Sequence, residues 1–442
     1  MKTVSSYTQL IKSVRDSFET INDHRCLSKV NIPLVDHLSC ALGIFLFKFP
    51  SLLQFDTEVR KGTLSVKASN FKNLFGVKKL PDDTNMRQTI DKVSPDFLRQ
   101  TFKKLFIEIK KTNSLKKFVF YQGTYLLSLD GTGFFSSKNV KCESCCVKNH
   151  KDGTQTYYHQ MLVGALVHPD FKQVIPFAPE PIQKQDGNKK NDCERNASKR
   201  FFENFRKDHP ELPVTIVEDA LSSNLPHIRE IKRHNMHFIL GIKSGDHKIF
   251  FSRLEKDKVA NLVQYHETTS KEGLQRKFLF RNGILLKEGE SDSFVNYFEV
   301  TEINAKDKET VFSWVTDYVI SKENIEELMI GGRTRWRIEN EVFNTLKNQG
   351  YEFEHNFGHG NEHLSTCFAM LMLLAFFIDQ ASELNCELYQ EARKKKGPKY
   401  SLWEDMRVIF KYFYIDSWEL LFGIITEKFN LNKQYDFIIN TS

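Results

Sequence analysis

Two aspartates follow directly on predicted buried strands. Asp130 closes the apolar run Phe118–Asp130 (FVFYQGTYLLSLD), and Asp219 closes Val214-Thr-Ile-Val-Glu-Asp219. In open α/β sheets ligands gather at the carboxyl ends of strands, so both side chains can face one site. Two carboxylates side by side repel each other, and a divalent cation relieves that repulsion. Hard oxygen ligands that leave room for water and phosphate suit Mg²⁺ or Mn²⁺. Each aspartate taken singly is also what an ordinary turn would carry. The third group lies in the helical run Thr334–Lys347 (TRWRIENEVFNTLK), where Arg335 and Glu339 are four apart and share a face. A carboxylate, the guanidinium groups of Arg335 and Arg337 and the indole of Trp336 meet there. Trp336 is expected to pack in the core with Ile338 and Phe343, and stacking on a base is its secondary reading.

A second cluster is Cys142-x2-Cys145-Cys146-x3-His150, with His159 further on. Two cysteines at that spacing with a nearby histidine can nucleate a tetrahedral Zn²⁺ site of structural type. With Cys142, Cys145 and His150 as ligands, the fourth would be His159 or Cys193. A reduced, partly buried cysteine loop is the alternative. His355, His359 and His363 are spaced four apart, yet Gly358 and Gly360 interrupt any helix, so this segment reads as a loop near the active site with backbone or phosphate contacts.

The elements that must position these groups come from a chain of 442 residues, long enough for two or three domains. With 40% hydrophobic and 27% charged residues it has globular composition, which excludes a largely disordered chain. Eight cysteines are too few for a disulfide scaffold. The start, MKTVSSYTQLIKSV, has no apolar signal core, and the longest apolar run, Cys367–Ile378, is 12 residues, short of a membrane span. A cytoplasmic protein without a membrane partner is expected. Charge is uneven. Residues 1–117 hold 21 Lys/Arg against 11 Asp/Glu, a net of +10, whereas the whole chain nets +7. A basic front on a near-neutral body suits a polyanion-binding module joined to a catalytic domain.

Residues 1–117 read as helices punctuated by Pro33, Pro50, Pro81 and Pro95. From Phe118 the order is mixed α/β: strands at 118–130, 157–170 and 173–180, a helix from Asp192 to Lys207, strand 214–219, helix 225–232 and strand 236–243. A β-rich insertion is expected at 244–310, with Asn282-Gly283 as a hairpin turn. A strand at 311–320 and helices at 323–348, 361–385 and 401–427 follow. Arg393–Lys396 reads as a basic surface loop. The domain expectation is 1–117 helical and DNA-binding, 118–385 catalytic with the insertion, and 386–442 helical and dimerising. Tyr412, Tyr414 and Trp418 are its interface candidates.

SLDGTGFF (128–135), VEDALSSN (217–224) and RTRWRIENEVFNTLK (333–347) closely resemble three blocks of the DDE transposases of bacterial insertion sequences. They are most similar to the cut-and-paste group with a Tyr-x2-Arg-x3-Glu-x6-Lys signature, over roughly residues 80–365. The resemblance implies a ribonuclease H-like catalytic core with a mixed sheet and flanking helices. It implies Asp130, Asp219 and Glu339 as the triad for two Mg²⁺ or Mn²⁺ ions, with Asp130 bridging both. It also implies Arg335, Arg337, Lys347 and Trp336 at the DNA, and hydrolysis at an element end followed by transfer of the freed 3′-hydroxyl. Terminal inverted repeats and target DNA would be the partners, bound by a homodimer. The chain departs from the signature at two places. Gly332 stands where the tyrosine belongs, and Leu346 where the lysine belongs, with Lys347 one further on. Eight helical residues overshoot the starting face by about 80°, so Lys347 serves only if the helix is locally deformed. A metal-dependent nuclease of the same fold, or a domesticated non-catalytic DNA-binding protein, are the rival readings.

Overall fold

The computed structural model describes residues 6–61, 65–184, 193–270, 273–304 and 308–428; Asp192 and the end of the expected C-terminal region, 429–442, lie outside them. Eleven strands among the described residues form one sheet: β1 (Tyr125–Ser137), β2 (Cys146–Asn149), β3 (Gln155–His168), β4 (Phe171–Pro176), β5 (Glu180–Ile182), β6 (Val214–Glu218), β7 (His237–Gly241), β8 (Gln264–Thr269), β9 (Gln275–Leu285), β10 (Phe294–Ile303) and β11 (Glu309–Thr316). The sheet runs β2-β3-β1-β6-β7-β11-β10-β9-β8, with β4 and β5 also on β3. β6 is buried at every position, and β1 at Leu126–Leu129. Strands covered by helices on both faces have no solvent side to mark with polar residues, which is why they read as apolar runs.

β1 and β3 are antiparallel, β3 and β4 antiparallel, and β6 and β7 run parallel to β1. The helix Glu194–Asp208 leads into β6, and Leu225–Arg233 crosses from β6 to β7. That order, β4-β3-β1-β6-β7 with helical crossovers, is the ribonuclease H-like arrangement, as expected.

Three local readings are corrected. β1 does not stop at Asp130 but continues to Ser137, because Gly131–Ser137 pair with Leu162–Tyr157 of β3; a long antiparallel partner overrides the turn tendency of Asp-Gly. Asn282-Gly283 makes no hairpin turn. It lies inside β9 where the register with β10 shifts, Gly283 adopting φ +68°. One extra residue with a left-handed glycine is a β-bulge, which needs the same residue types as a tight turn. Arg393–Lys396 is not a loop but the last turn of the helix Glu387–Lys396, where cations meet the negative end of the helix dipole.

The expected insertion contains a helix, Lys248–Val259, and then β8 to β10, which do not fold apart from the core. They extend the central sheet, because β11 pairs with β7 on one side and β10 on the other. The N-terminal helices share a core with the C-terminal ones. Helix Leu34–Leu46 packs on Leu364–Asn385, and Tyr7 meets Trp418 and Phe422 with ring centroids 4.4 and 5.2 Å apart. Trp418, an interface candidate by sequence, is therefore core, its Nε1 donating to the Leu74 carbonyl at 3.0 Å, while Tyr412 and Tyr414 are exposed. Leu364–Asn385 is the one helix among the described residues long and apolar enough to cross a membrane, and 94% of its apolar window is buried inside the protein.

His209 ends the helix Glu194–Asp208 against Phe106, Phe177 and Phe205, with ring centroids 4.6, 4.9 and 5.3 Å away. Burial lowers its pKa from 6.5 to about 3, and Lys103 and Arg99 add to the effect. The unfolded chain takes up this proton more readily than the folded one, so stability is full above pH 6.5 and falls as pH drops toward about 3. We expect His209→Phe to flatten that part of the denaturation-midpoint profile. An unchanged slope in the variant would show that other groups carry it.

Candidate active site

The strand register sets the two aspartates level. The parallel pairing of β1 with β6 ends at Ser128↔Val217, and Asp130 and Asp219 each stand two residues further on. Past that point β1 turns to β3 alone, with Asp130 opposite Val163, while β6 gives way to a 3₁₀ turn. Asp219 caps that turn, its Oδ1 accepting from the Leu221 amide at 2.9 Å. Asp130 Oδ1 accepts from the Gly131 amide at 2.8 Å. Both line a cavity of about 510 Å³ with Glu194, Glu218, His227 and Cys193.

Arg335 joins Glu339 to Asp130. Its Nη1 lies 2.7 Å from Glu339 Oε1 and 3.7 Å from Asp130 Oδ2, and its side chain is only 12% exposed. A hydroxyl–carbonyl bond, Ser128 Oγ to the Arg335 backbone at 3.2 Å, holds this helix over β1. Glu339 itself is partly open to solvent. Burial raises the Asp130 pKa from 3.8 to about 7; Glu339 and Glu194 push the same way, and the Gly131 amide and Arg335 oppose them.

Glu194 was not legible as a site residue. It opens the helix that precedes β6, and a Cβ on Gly131 would fall 2.1 Å from its Oε1, so a larger residue beside Asp130 would push this carboxylate aside. Its pKa is raised by burial and then by Asp219 and Glu218. A cluster of carboxylates in which Asp130 and Glu194 both have raised pKa values, with hard oxygens as donors, fits Mg²⁺ or Mn²⁺. Behind it, His227 Nε2 and Glu218 Oε2 form a buried pair.

The helix carrying Glu339 is deformed. Ile325–Thr334 is α-helical, Ile338–Phe343 is a π-helix, and Asn344–Asn348 returns to α. A π segment takes up one extra residue, which is the local deformation that Lys347 needs to approach the Glu339 face. Its Nζ pairs with Glu354 at 2.8 Å. Gly332 has no room to be a tyrosine, since a Cβ there would lie 2.5 Å from Trp314 Nε1.

Two expectations for this helix are overturned. Trp336 is not core but 51% exposed, with the Arg335 guanidinium 4.5 Å over its ring. Both line a second cleft, of about 960 Å³, that also holds Asp219, Lys243, Lys258 and Arg333. Arg337 faces away from the site: it pairs with Glu341 at 3.1 Å and donates to the Pro169 carbonyl at 2.8 Å. One helical position turns a side chain by about 100°, so Arg335 and Arg337 cannot serve the same face.

The sulfur–nitrogen cluster also forms with one change. Cys142, Cys145 and His159 come together with His359, their ligand atoms all within 4.8 Å of one another. His150 is elsewhere, its Nε2 2.7 Å from Thr156 Oγ1, and Cys193 lines the acidic cavity. His159 points inward from β3, whereas His150 lies past β2 in the turn, whose geometry follows the Thr154 contact rather than the cysteines.

No protein-family model matches the chain, and no curated protein matches it. Among solved structures, a piggyBac transposase in a synaptic complex with hairpin DNA, seen by cryo-electron microscopy, aligns with 97% of this chain and 82% of its own, at 12% identity and a TM-score of 0.43. What the site does is therefore read from its own residues.

Proposed function

We propose that this chain is a DNA transposase of the DDE type, which cuts DNA at the terminal inverted repeats of a mobile element and joins the freed ends to target DNA. The observation that carries the reading is the level placement of Asp130 and Asp219 at the end of paired parallel strands, with Arg335 bridging Asp130 to Glu339 from the facing helix. Asp130, Asp219 and Glu339, with Glu194 beside them, would hold the divalent cations. Bound there, Mg²⁺ or Mn²⁺ supplies activation of the attacking oxygen and stabilisation of the leaving oxygen in an in-line phosphodiester displacement.

The chain's own residues bind and orient the DNA. Arg335 presents a guanidinium at the carboxylates, where a phosphate oxygen can take over one of its ion pairs. Trp336 offers an exposed ring next to it, and Lys243 and Lys258 continue the cleft. In the N-terminal region Lys12, Lys29, Lys72, Lys78, Lys79 and Lys110 are exposed, which supports residues 1–117 as the part that recognises the element ends. One carboxylate set per chain and two ends per element call for a dimer on DNA.

The test incubates the full chain with duplexes carrying the repeats that flank its own coding sequence, in Mg²⁺, Mn²⁺ or chelator, and maps nicks and joined products. Cutting at the repeat ends with either metal and joining to a target are expected. Cutting without joining would make the protein a nuclease of this fold, and binding without cutting in either metal would make it a non-catalytic binder.

A further inference from the structure

We propose that Cys142, Cys145, His159 and His359 bind a structural Zn²⁺ ion that clamps the loop following the Glu339 helix onto the antiparallel pair β1–β3. Five of the six distances between ligand atoms match the edges of a tetrahedron, and all four atoms lie within 4.8 Å of one another. Zn–S bonds of about 2.3 Å and Zn–N bonds of about 2.0–2.1 Å at tetrahedral angles place sulfurs about 3.8 Å apart, sulfur and nitrogen about 3.6 Å, and two nitrogens about 3.3 Å. The two sulfurs are 3.7 Å apart. His159 Nε2 is 3.5 Å from Cys142 Sγ and 3.3 Å from Cys145 Sγ, and His359 Nε2 is 3.3 Å from Cys145 Sγ. The two imidazole nitrogens are 3.2 Å from each other. Four soft and borderline donors converge on one point, a set that favours Zn²⁺ over the hard cations of the carboxylate site.

The surroundings orient the ligands. His359 Nδ1 lies 2.9 Å from the Gly360 carbonyl; as N–H donor it leaves Nε2 free for metal, the usual outer hydrogen bond of a zinc histidine. The Cys142 amide donates to Cys145 Sγ at 3.4 Å. Phe135 packs against both imidazoles, with centroids 5.7 and 4.4 Å away. Cys145, His159 and His359 are all buried. The loop is anchored independently just beyond: Asp91 accepts from the amides of Asn361, Glu362, His363 and Leu364, each at 3.0 Å.

What the site joins is specific. His159 pairs across the sheet with Phe135, five residues past Asp130. His359 follows the helix that carries Glu339 and Lys347. Zinc would thus cross-link the two elements that bear the first and last acids of the carboxylate set. Binding releases the thiol protons of Cys142 and Cys145 to solvent as the thiolates take the metal, with no change of oxidation state.

The experiment uses the full chain purified without chelator. Elemental analysis is expected to give about one zinc per chain, and X-ray absorption to show sulfur and nitrogen neighbours in equal number. After stripping, Co²⁺ added alone should produce thiolate-to-cobalt charge-transfer absorption and tetrahedral ligand-field bands. His359→Ala and Cys142→Ser should lose that zinc, whereas His150→Ala and Cys193→Ser keep it. If His359→Ala does not fold, the wild-type Co²⁺ spectrum and X-ray absorption still decide. Absence of sulfur ligation, no uptake of either metal, or unchanged zinc in His359→Ala would overturn the proposal. Metal content is read without any DNA, so a failure of the carboxylates to cut leaves this result untouched.

Discussion

Asp130→Asn, Asp219→Asn and Glu339→Gln are each expected to lower metal-dependent cleavage by at least about 10²–10³-fold, on the scale of removing one preorganised electrostatic group, with DNA affinity changed by less than about threefold. The asymmetry has a physical source. In the proposed reaction cleavage depends on carboxylates holding cations, while affinity depends on lysines and arginines neutralising phosphates, and the substitutions touch only the former. Isosteric amides keep the volume of each side chain, so loss of activity cannot be assigned to collapse of the site. Asp130 provides an internal control. Burial and neighbouring carboxylates already push its pKa up to about 7, so a neutral amide there should leave the thermal midpoint unchanged or higher. A variant that is inactive yet no less stable is what a functional site held at the expense of stability predicts. Cleavage assays on end-repeat duplexes alongside thermal melts check both halves. Wild-type cutting by Glu339→Gln would remove that residue from the set and move attention to Glu194.

Asp379→Ala should destabilise the whole protein by about 3–5 kcal/mol, the scale for breaking a buried ion pair from one side. Lys48 and Asp379 are 2.8 Å apart, with side chains 2% and 4% exposed. The Tyr351 hydroxyl also donates to Asp379, and the Lys48 ammonium sits 3.9 Å from the Tyr351 ring and 4.4 Å from that of Trp403. Burial lowers the Lys48 pKa, and Asp379 opposes the shift. Removing the carboxylate leaves an ammonium whose remaining partners are one carbonyl, that of Leu46, and two ring faces. The paired change Lys48→Met with Asp379→Leu removes both charges and should recover most of the loss. Because the pair joins the N-terminal helices to the core helix Leu364–Asn385, urea titration followed in parallel by near- and far-ultraviolet dichroism should show the two signals shifting together. A midpoint for Asp379→Ala equal to wild type would mean that the pair contributes nothing net.

The reach of local pattern explains what could be read from the chain alone. Apolar runs flanked by glycine and proline announced most of the strands, and an acid immediately after such a run announced Asp130 and Asp219. The four-residue step announced that Arg335 and Glu339 share a face, and they are in fact paired at 2.7 Å. These features depend on neighbours within a few residues, so they survive in any tertiary setting. By contrast, Asn-Gly, Asp-Gly and the lysine run were misread because the same residue types serve turns, bulges and helix ends, and only the partner strand or helix selects among them.

Tertiary structure alone decided the rest. His359 lies 200 residues from His159 and replaces the nearer His150, because β3 and the loop after the Glu339 helix converge where the β2 turn does not. Glu194 reaches Asp130 through a crossover helix whose start has no sequence mark of a site. Trp336 is exposed because the helix buries Ile338 and Val342 instead, and the π turn between Glu339 and Lys347 is invisible in composition. Spacing along the chain thus determined which acids could meet at strand ends; which cation, ring and imidazole stand beside them was decided by long-range packing, since close packing admits one arrangement of neighbours that no local window contains.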